Sequence, residues 1–188
     1  LLNYNLVSKA VKKNNIVFHL AAISDINKVK NIPLKTISTN IIGTTNLLEA
    51  SRGANIKKFI FASTYYSNSN AGNLYTTSKK ASELIIKNYN LLYGLNYTIL
   101  RYPTAYGPRN REVDAISIFV KKAFKNLTLI IHGNGQQKRN YLHAEDIAEG
   151  SMVGMKSKLN NKTITLASNS NIKITHLAKK IIKLTKSK

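Results

Sequence analysis

Five short apolar runs recur along the chain, separated by stretches in which apolar residues return every three or four positions. Ile16-Val17-Phe18-His19-Leu20 is continuous and predicts a strand buried on both faces. Phe59 to Ala62, Tyr97 to Leu100, Leu127 to Ile131 and the shorter Thr163 to Leu166 predict four more. Between them, Ile37, Ile41, Leu47 and Leu48 mark a helix over 34–52, with Gly53 as its stop. Ala81, Leu84, Ile85, Tyr89 and Leu92 form a second helical stripe, closed by Gly94. Ile116, Val120, Ala123 and Phe124 form a third, and 145–155 a fourth helix. The last helix carries Leu177, Ile181 and Ile182, with Thr175 as its cap. Pro103, Gly107 and Pro108 make 102–111 a loop, and Gly133-Asn134-Gly135 a turn. Strands that alternate with helices in this way predict an α/β fold built on a parallel sheet.

Composition narrows the picture by exclusion. The chain holds 188 residues, enough for one domain, and 43% of them are hydrophobic, enough for a core. No apolar run approaches a membrane span, and Leu1-Leu2-Asn3-Tyr4 lacks the basic leader of a signal peptide. There is no initiator Met, so a fragment is expected. With no cysteine, disulfides, thiolate metal sites and a Cys nucleophile are excluded, which fits a cytoplasmic protein. His19, His132, His143 and His176 lack metal-ligand spacing, so no metal site is expected.

The formal charge of +21 is extreme. Its lysines are dispersed, and the densest clusters, Lys9/Lys12/Lys13 and Lys179/Lys180/Lys183, fall on polar helix faces. No basic motif interleaved with aromatics occurs. The charge reads as a Lys-, Asn- and Ile-rich composition, which governs solubility and non-specific binding before function. Specific nucleic-acid binding is not expected.

Candidate chemistry gathers where ligands bind in such folds, beyond the carboxyl ends of the strands. Ala21-Ala22 follow the first strand, Ser63-Thr64 the second, and 101–107 the third. Close by, Tyr75 and Lys79 stand four apart at the start of a helix, hence on one face. An ammonium beside a phenol favours the phenolate, a proton acceptor, and a hydroxyl at the strand end completes a site for taking a proton from an alcohol.

In this order the blocks resemble the extended short-chain dehydrogenase/reductases of the NAD-dependent epimerase/dehydratase family. Val17 to Ala22, Asn40 to Ala50, Lys57 to Thr64, Tyr75 with Lys79, Leu100 to Pro108 and His132 to Asp146 carry the resemblance, which spans nearly the whole chain. It implies a partial Rossmann-like, doubly wound parallel sheet, with 1–110 as a partial NAD-binding domain. A small substrate-binding region, 111–188, is interleaved with that sheet. Thr64, Tyr75 and Lys79 are the implied catalytic residues. Leu20, Ala21, Ala22, Asn40, Ser63, Tyr75, Lys79, Tyr102 and Pro103 are implied to bind NAD, or alternatively NADP. Thr64, Thr104 and Arg139 are implied for a nucleotide-sugar substrate, Arg139 gripping its diphosphate. Homodimerisation through helices matching 35–52 and 76–93 is implied too.

The departures shape the functional expectation. No glycine-rich phosphate turn, G-x-x-G-x-x-G or G-x-G-x-x-G, occurs in the 188 residues, so the chain resembles a member cut at both ends. Only eleven positions separate Thr64 from Tyr75, a shortened segment for this family. Thr104 and Asn140 stand where the family usually has asparagine and aspartate. Tyr65-Tyr66 replace the Asp-Glu pair that follows the catalytic Thr in sugar-nucleotide 4,6-dehydratases, so a 4-epimerase fits better. Its rivals are a non-catalytic homologue, a nucleotide-sugar reductase or dehydratase, and a basic nucleic-acid-binding module.

Overall fold

The computed structural model describes residues 1–68 and 73–187. In chain order the elements are α1 (Tyr4–Val11), β1 (Ile16–His19), α2 (Ile26–Asn31), α3 (Pro33–Ile37), a π-helical turn (Ser38–Ile42) and α4 (Gly43–Gly53). Then come β2 (Lys58–Thr64), a 3-10 turn (Tyr65–Asn68), α5 (Leu74–Tyr93), β3 (Tyr97–Tyr102), β4 (Thr104–Tyr106) and α6 (Ala115–Ala123). The chain continues through β5 (Lys138–Arg139), β6 (Tyr141–His143), α7 (Ala144–Val153), a second 3-10 turn (Ser157–Leu159), β7 (Lys162–Thr165), β8 (Ile172–Lys173) and α8 (Ile174–Thr185).

Two compact units result: 1–102 with 150–166, and 103–149 with 167–188. The first is built on a four-stranded sheet in the order β1-β2-β3-β7, every pair parallel. β2 is buried along its whole length, which suits its continuous apolar run Phe59 to Ala62. Phe59, Phe61 and Ile99 from the sheet meet Leu47 and Leu48 of α4 and Ile86 of α5 in the core. β1 corrects the sequence expectation. Among the described residues it pairs with β2 alone, at the sheet edge, and leaves Phe18 38% exposed, so it is not buried on both faces.

The π turn interrupts the helix expected over 34–52. The turn, over Ser38–Ile42, divides that helix into α3 and α4 and carries the buried Asn40. Gly53 is not its left-handed stop: the helix runs through Gly53, and Asn55 takes the positive φ of 53°. α5 does end as expected, with Gly94 at φ 69° and its N–H bonded to Asn90 O.

The α5 face is the larger correction. Thr76, Ser78, Lys79, Ser82, Glu83 and Ile86 are buried, whereas Leu84 and Leu92 are 63% and 70% exposed. The polar face packs inward because every buried polar group on it that matters to the site finds a partner, as described below.

The second unit centres on Phe119, Ala123, Leu177, Ala178 and Ile181, between α6 and α8. It contains a parallel pair, β4 with β6, and an antiparallel pair, β5 with β8. β4 lies inside the stretch expected to be loop. Leu127 to Ile131 is not a strand: its apolar residues Leu129 and Ile131 pack on the core without ladder bonds, while Leu127 and Ile130 are exposed. Phe124 is exposed as well, and Phe119 fills the place expected for it. Thr175 lies within α8 rather than at its cap, which is Lys173.

Candidate active site

Asn73 starts α5. Its backbone is extended and its side chain accepts the Thr76 N–H at 2.9 Å, which places Tyr75 in the first helical turn. One turn on, Lys79 is buried against the sheet. Its Nζ donates to Ala62 O at 2.7 Å, two residues before the end of β2, and lies 4.5 Å from the Phe61 ring centroid. The same ammonium is 6.0 Å from the Tyr75 ring centroid. Burial pushes its pKa from 10.5 down to about 8, against the charge of Glu83, which raises it.

Thr64 closes β2 and is buried. Its hydroxyl accepts the Tyr66 N–H at 3.3 Å. That bond uses a lone pair and leaves the hydroxyl proton available to an oxygen. Tyr65 and Tyr66 follow, half-buried, with rings edge to face at 5.7 Å.

Sequence reasoning missed a carboxylate beside this lysine. Glu83, one turn beyond Lys79 and buried, accepts from Arg101 Nε at 3.0 Å and Nη2 at 2.6 Å, from Ser67 Oγ at 3.2 Å and from Ser63 Oγ. Burial alone raises its pKa. The bonds from Arg101 and Ser63, with the Arg101 charge, outweigh burial and hold the carboxyl below its ordinary value. The available signal was an acidic residue spaced four from Lys79 on a helix of a strongly basic chain.

The residues expected to meet a cofactor divide by how the fold uses them. Leu20 and Ala21, past β1, are exposed, and Ala22 is half-buried. Asn40, in the π turn, is buried. Its Nδ2 donates to Ile23 O and to Ser78 Oγ, each at 3.0 Å, and its Oδ1 accepts the Ile23 N–H at 2.8 Å. It thus ties the loop after β1 to the start of α5. The Ser63 hydroxyl serves Glu83, and the Tyr102 hydroxyl shares a 2.7 Å bond with Ser151. Any part that Asn40, Ser63 and Tyr102 play toward a ligand therefore runs through the positions they hold.

His19, buried at the end of β1, lies 2.8 Å from Thr44 Oγ1. Thr44 gives its own proton to Asn40 O at 2.6 Å, so the His19 Nε2 is the donor. Burial first, then the charge of Lys79, pushes its pKa from 6.5 down to about 3.

Pro103, Thr104 and Arg139 belong to the second unit. Thr104 lies in β4, its N–H bonded to Asn140 O at 3.0 Å, and Arg139 is exposed on β5. Asn140 is buried and binds the 168–171 loop, donating to Ser168 O at 3.0 Å and accepting the Ser168 N–H at 2.9 Å. A neutral amide can give and take hydrogen bonds there, as a carboxylate cannot. Among the described residues no cluster of metal-ligating side chains occurs.

Comparison with known proteins points the same way. The NAD dependent epimerase/dehydratase family matches residues 1–167. The chain is 34% identical to a UDP-glucuronate 4-epimerase of Thermodesulfobacterium geofontis over 74% of its own length and 47% of that protein's. It is 30% identical to a UDP-N-acetyl-alpha-D-glucosaminuronate decarboxylase of Bacillus cytotoxicus, over its whole length and 64% of that protein's. The chain thus spans about half to two thirds of these relatives. The crystal structure of UDP-glucose 4-epimerase from Thermotoga maritima, with UDP-glucose, superposes with a TM-score of 0.92 at 25% identity, covering 99% of this chain and 66% of that one.

Proposed function

Because the chain belongs to the NAD dependent epimerase/dehydratase family, we propose that it serves an NAD-dependent nucleotide-sugar 4-epimerase reaction, with the tip of β2 and the first turns of α5 as the proton-handling site. The observation that carries this reading is the buried Lys79 ammonium, fixed to β2 one helical turn from Tyr75. The residues present fit the nicotinamide-ribose end of NAD. Lys79 spends one bond on Ala62 O, and an ammonium has three protons to give. NAD, when bound, supplies hydride acceptance and return at one sugar carbon.

The chain's own residues handle the proton. Tyr75, as phenolate, accepts the hydroxyl proton of the sugar, and the nearby ammonium favours that ionisation. Thr64 donates its free proton to the same sugar oxygen and orients it. Thr104 and Arg139 are the proposed substrate contacts, Arg139 for the diphosphate through charge-assisted bonds. Tyr65 and Tyr66 follow Thr64 where dehydratases have two carboxylates. No carboxylate then follows Thr64 directly, which favours epimerisation over elimination. Homodimerisation through α4 and α5 is supported by Leu84, Leu91 and Leu92, which project from α5 into solvent.

The second reading, a homologue that folds without binding cofactor, is favoured by Asn40, Ser63 and Tyr102, whose polar groups are spent on protein partners. Thermal shift with NAD, followed by product analysis with UDP-hexoses, separates the two. The enzyme reading expects a rise in melting temperature and C4-inverted product. No shift and no product support the non-catalytic homologue.

A further inference from the structure

We propose that Glu83 and Arg101 are positioning residues, a clamp across two strands that fixes the turn carrying Thr64; this rests on the proton-handling role given to Thr64 and Tyr75 above. Two successive turns of α5 are fastened to two successive residues of β2. Lys79 Nζ donates to Ala62 O at 2.7 Å, and Ser63 Oγ donates to Glu83. Thr64 comes next. Past it, the single Ser67 hydroxyl proton is shared between Thr64 O at 2.8 Å and Glu83 Oε1 at 3.2 Å.

Arg101 closes the clamp from the neighbouring strand. It is the register partner of Ser63 in β3, and its fork meets both oxygens of Glu83. Its remaining terminal nitrogen donates to Asn68 Oδ1, the last residue of the 3-10 turn. Residues on both sides of Thr64 are thus held by one carboxylate and one guanidinium.

A buried ion pair adds little net stability over an apolar pair of equal volume, so stability alone does not account for four donors converging on one carboxylate. A planar fork against a carboxylate does fix distance and angle together. That is what a hydroxyl placed for a reacting oxygen requires, since a displacement of about 1 Å costs roughly a hundredfold in rate.

The test uses the full chain, labelled with nitrogen-15 and with carbon-13 at tyrosine Cζ, without substrate. Arg101→Lys and Glu83→Asp preserve charge and change only geometry. The clamp predicts that the Tyr66 amide, which bonds the Thr64 hydroxyl, exchanges about tenfold faster relative to the β1 amides in both variants. It also predicts that the Tyr75 titration midpoint rises by roughly one pH unit as the proposed Thr64–Tyr75 pairing loses alignment. A Tyr66 amide that exchanges in step with β1, or a Tyr75 midpoint unmoved in both variants, overturns it. A wild-type Tyr75 midpoint at or above the ordinary value of about 10 instead sinks the proton-handling reading, and Tyr66 exchange still decides the clamp.

Discussion

Lys79 carries a charge that its surroundings disfavour. With a folded pKa of about 8 against 10.5, the unfolded chain binds the proton more tightly between those values, so stability rises with pH across that window. Below it, the charged buried lysine costs about 3 kcal/mol. Lys79→Met is therefore predicted to raise the urea midpoint at pH 7 while abolishing turnover, a trade of stability for function. His19 works in the opposite part of the scale. Its folded pKa of about 3 lies below 6.5, so its stabilising contribution is complete above 6.5 and is lost as pH falls. Lowering the pH to 5 should remove about 2 kcal/mol from this residue alone. Urea unfolding of wild type and His19→Gln at pH 7.5 and 5 checks it: the variant should lose that difference. The carboxyl of Glu83 does not confuse this window, because its folded pKa lies below the ordinary carboxylate value of 4.5.

At the scale of elements, α5 shows both what sequence pattern reveals and where it fails. Its capping was legible, because Gly94 follows the last helical residue and a left-handed φ of 69° suits glycine. Gly94→Ala is expected to cost about 1 kcal/mol, read as a lower urea midpoint with an unchanged slope. Its buried face was legible only in part, since Ile85 and Tyr89 of the expected stripe pack against the core. Hydrophobicity selected Leu84 and Leu92, whereas the sheet receives Lys79 and Glu83, whose partners lie on β2 and β3 and are remote in sequence. The strands β2 and β3 were readable because continuous apolar runs suit a parallel sheet covered on both faces. Leu127 to Ile131 has the same composition, yet apolar composition alone supplies no ladder partner, and here the segment packs by side chains. Tyr75 and Lys79 were singled out by their spacing of four and Thr64 by its place at a strand end, and their catalytic roles are proposals. Glu83 and Arg101 were missed because their meaning arises only when helix and strand meet.

At the scale of the whole molecule, the lysines behind the charge of +21 are dispersed along the chain, and net charge of this kind bears on solubility and non-specific binding before fold. No helix of the described residues is long and apolar enough to cross a membrane. The proposed homodimer would bury the leucines on the outer face of α5: Leu84→Glu with Leu91→Glu should then convert it to a monomer in sedimentation velocity, with the fold retained. The most direct measurement of the central claim compares NAD-dependent C4 inversion of a panel of UDP-hexoses by wild type and Tyr75→Phe. The account predicts inversion by wild type and a loss of at least about a hundredfold in kcat for the variant, with NAD affinity preserved. Equal rates for the two proteins, or no inversion by wild type with NAD bound, would contradict it.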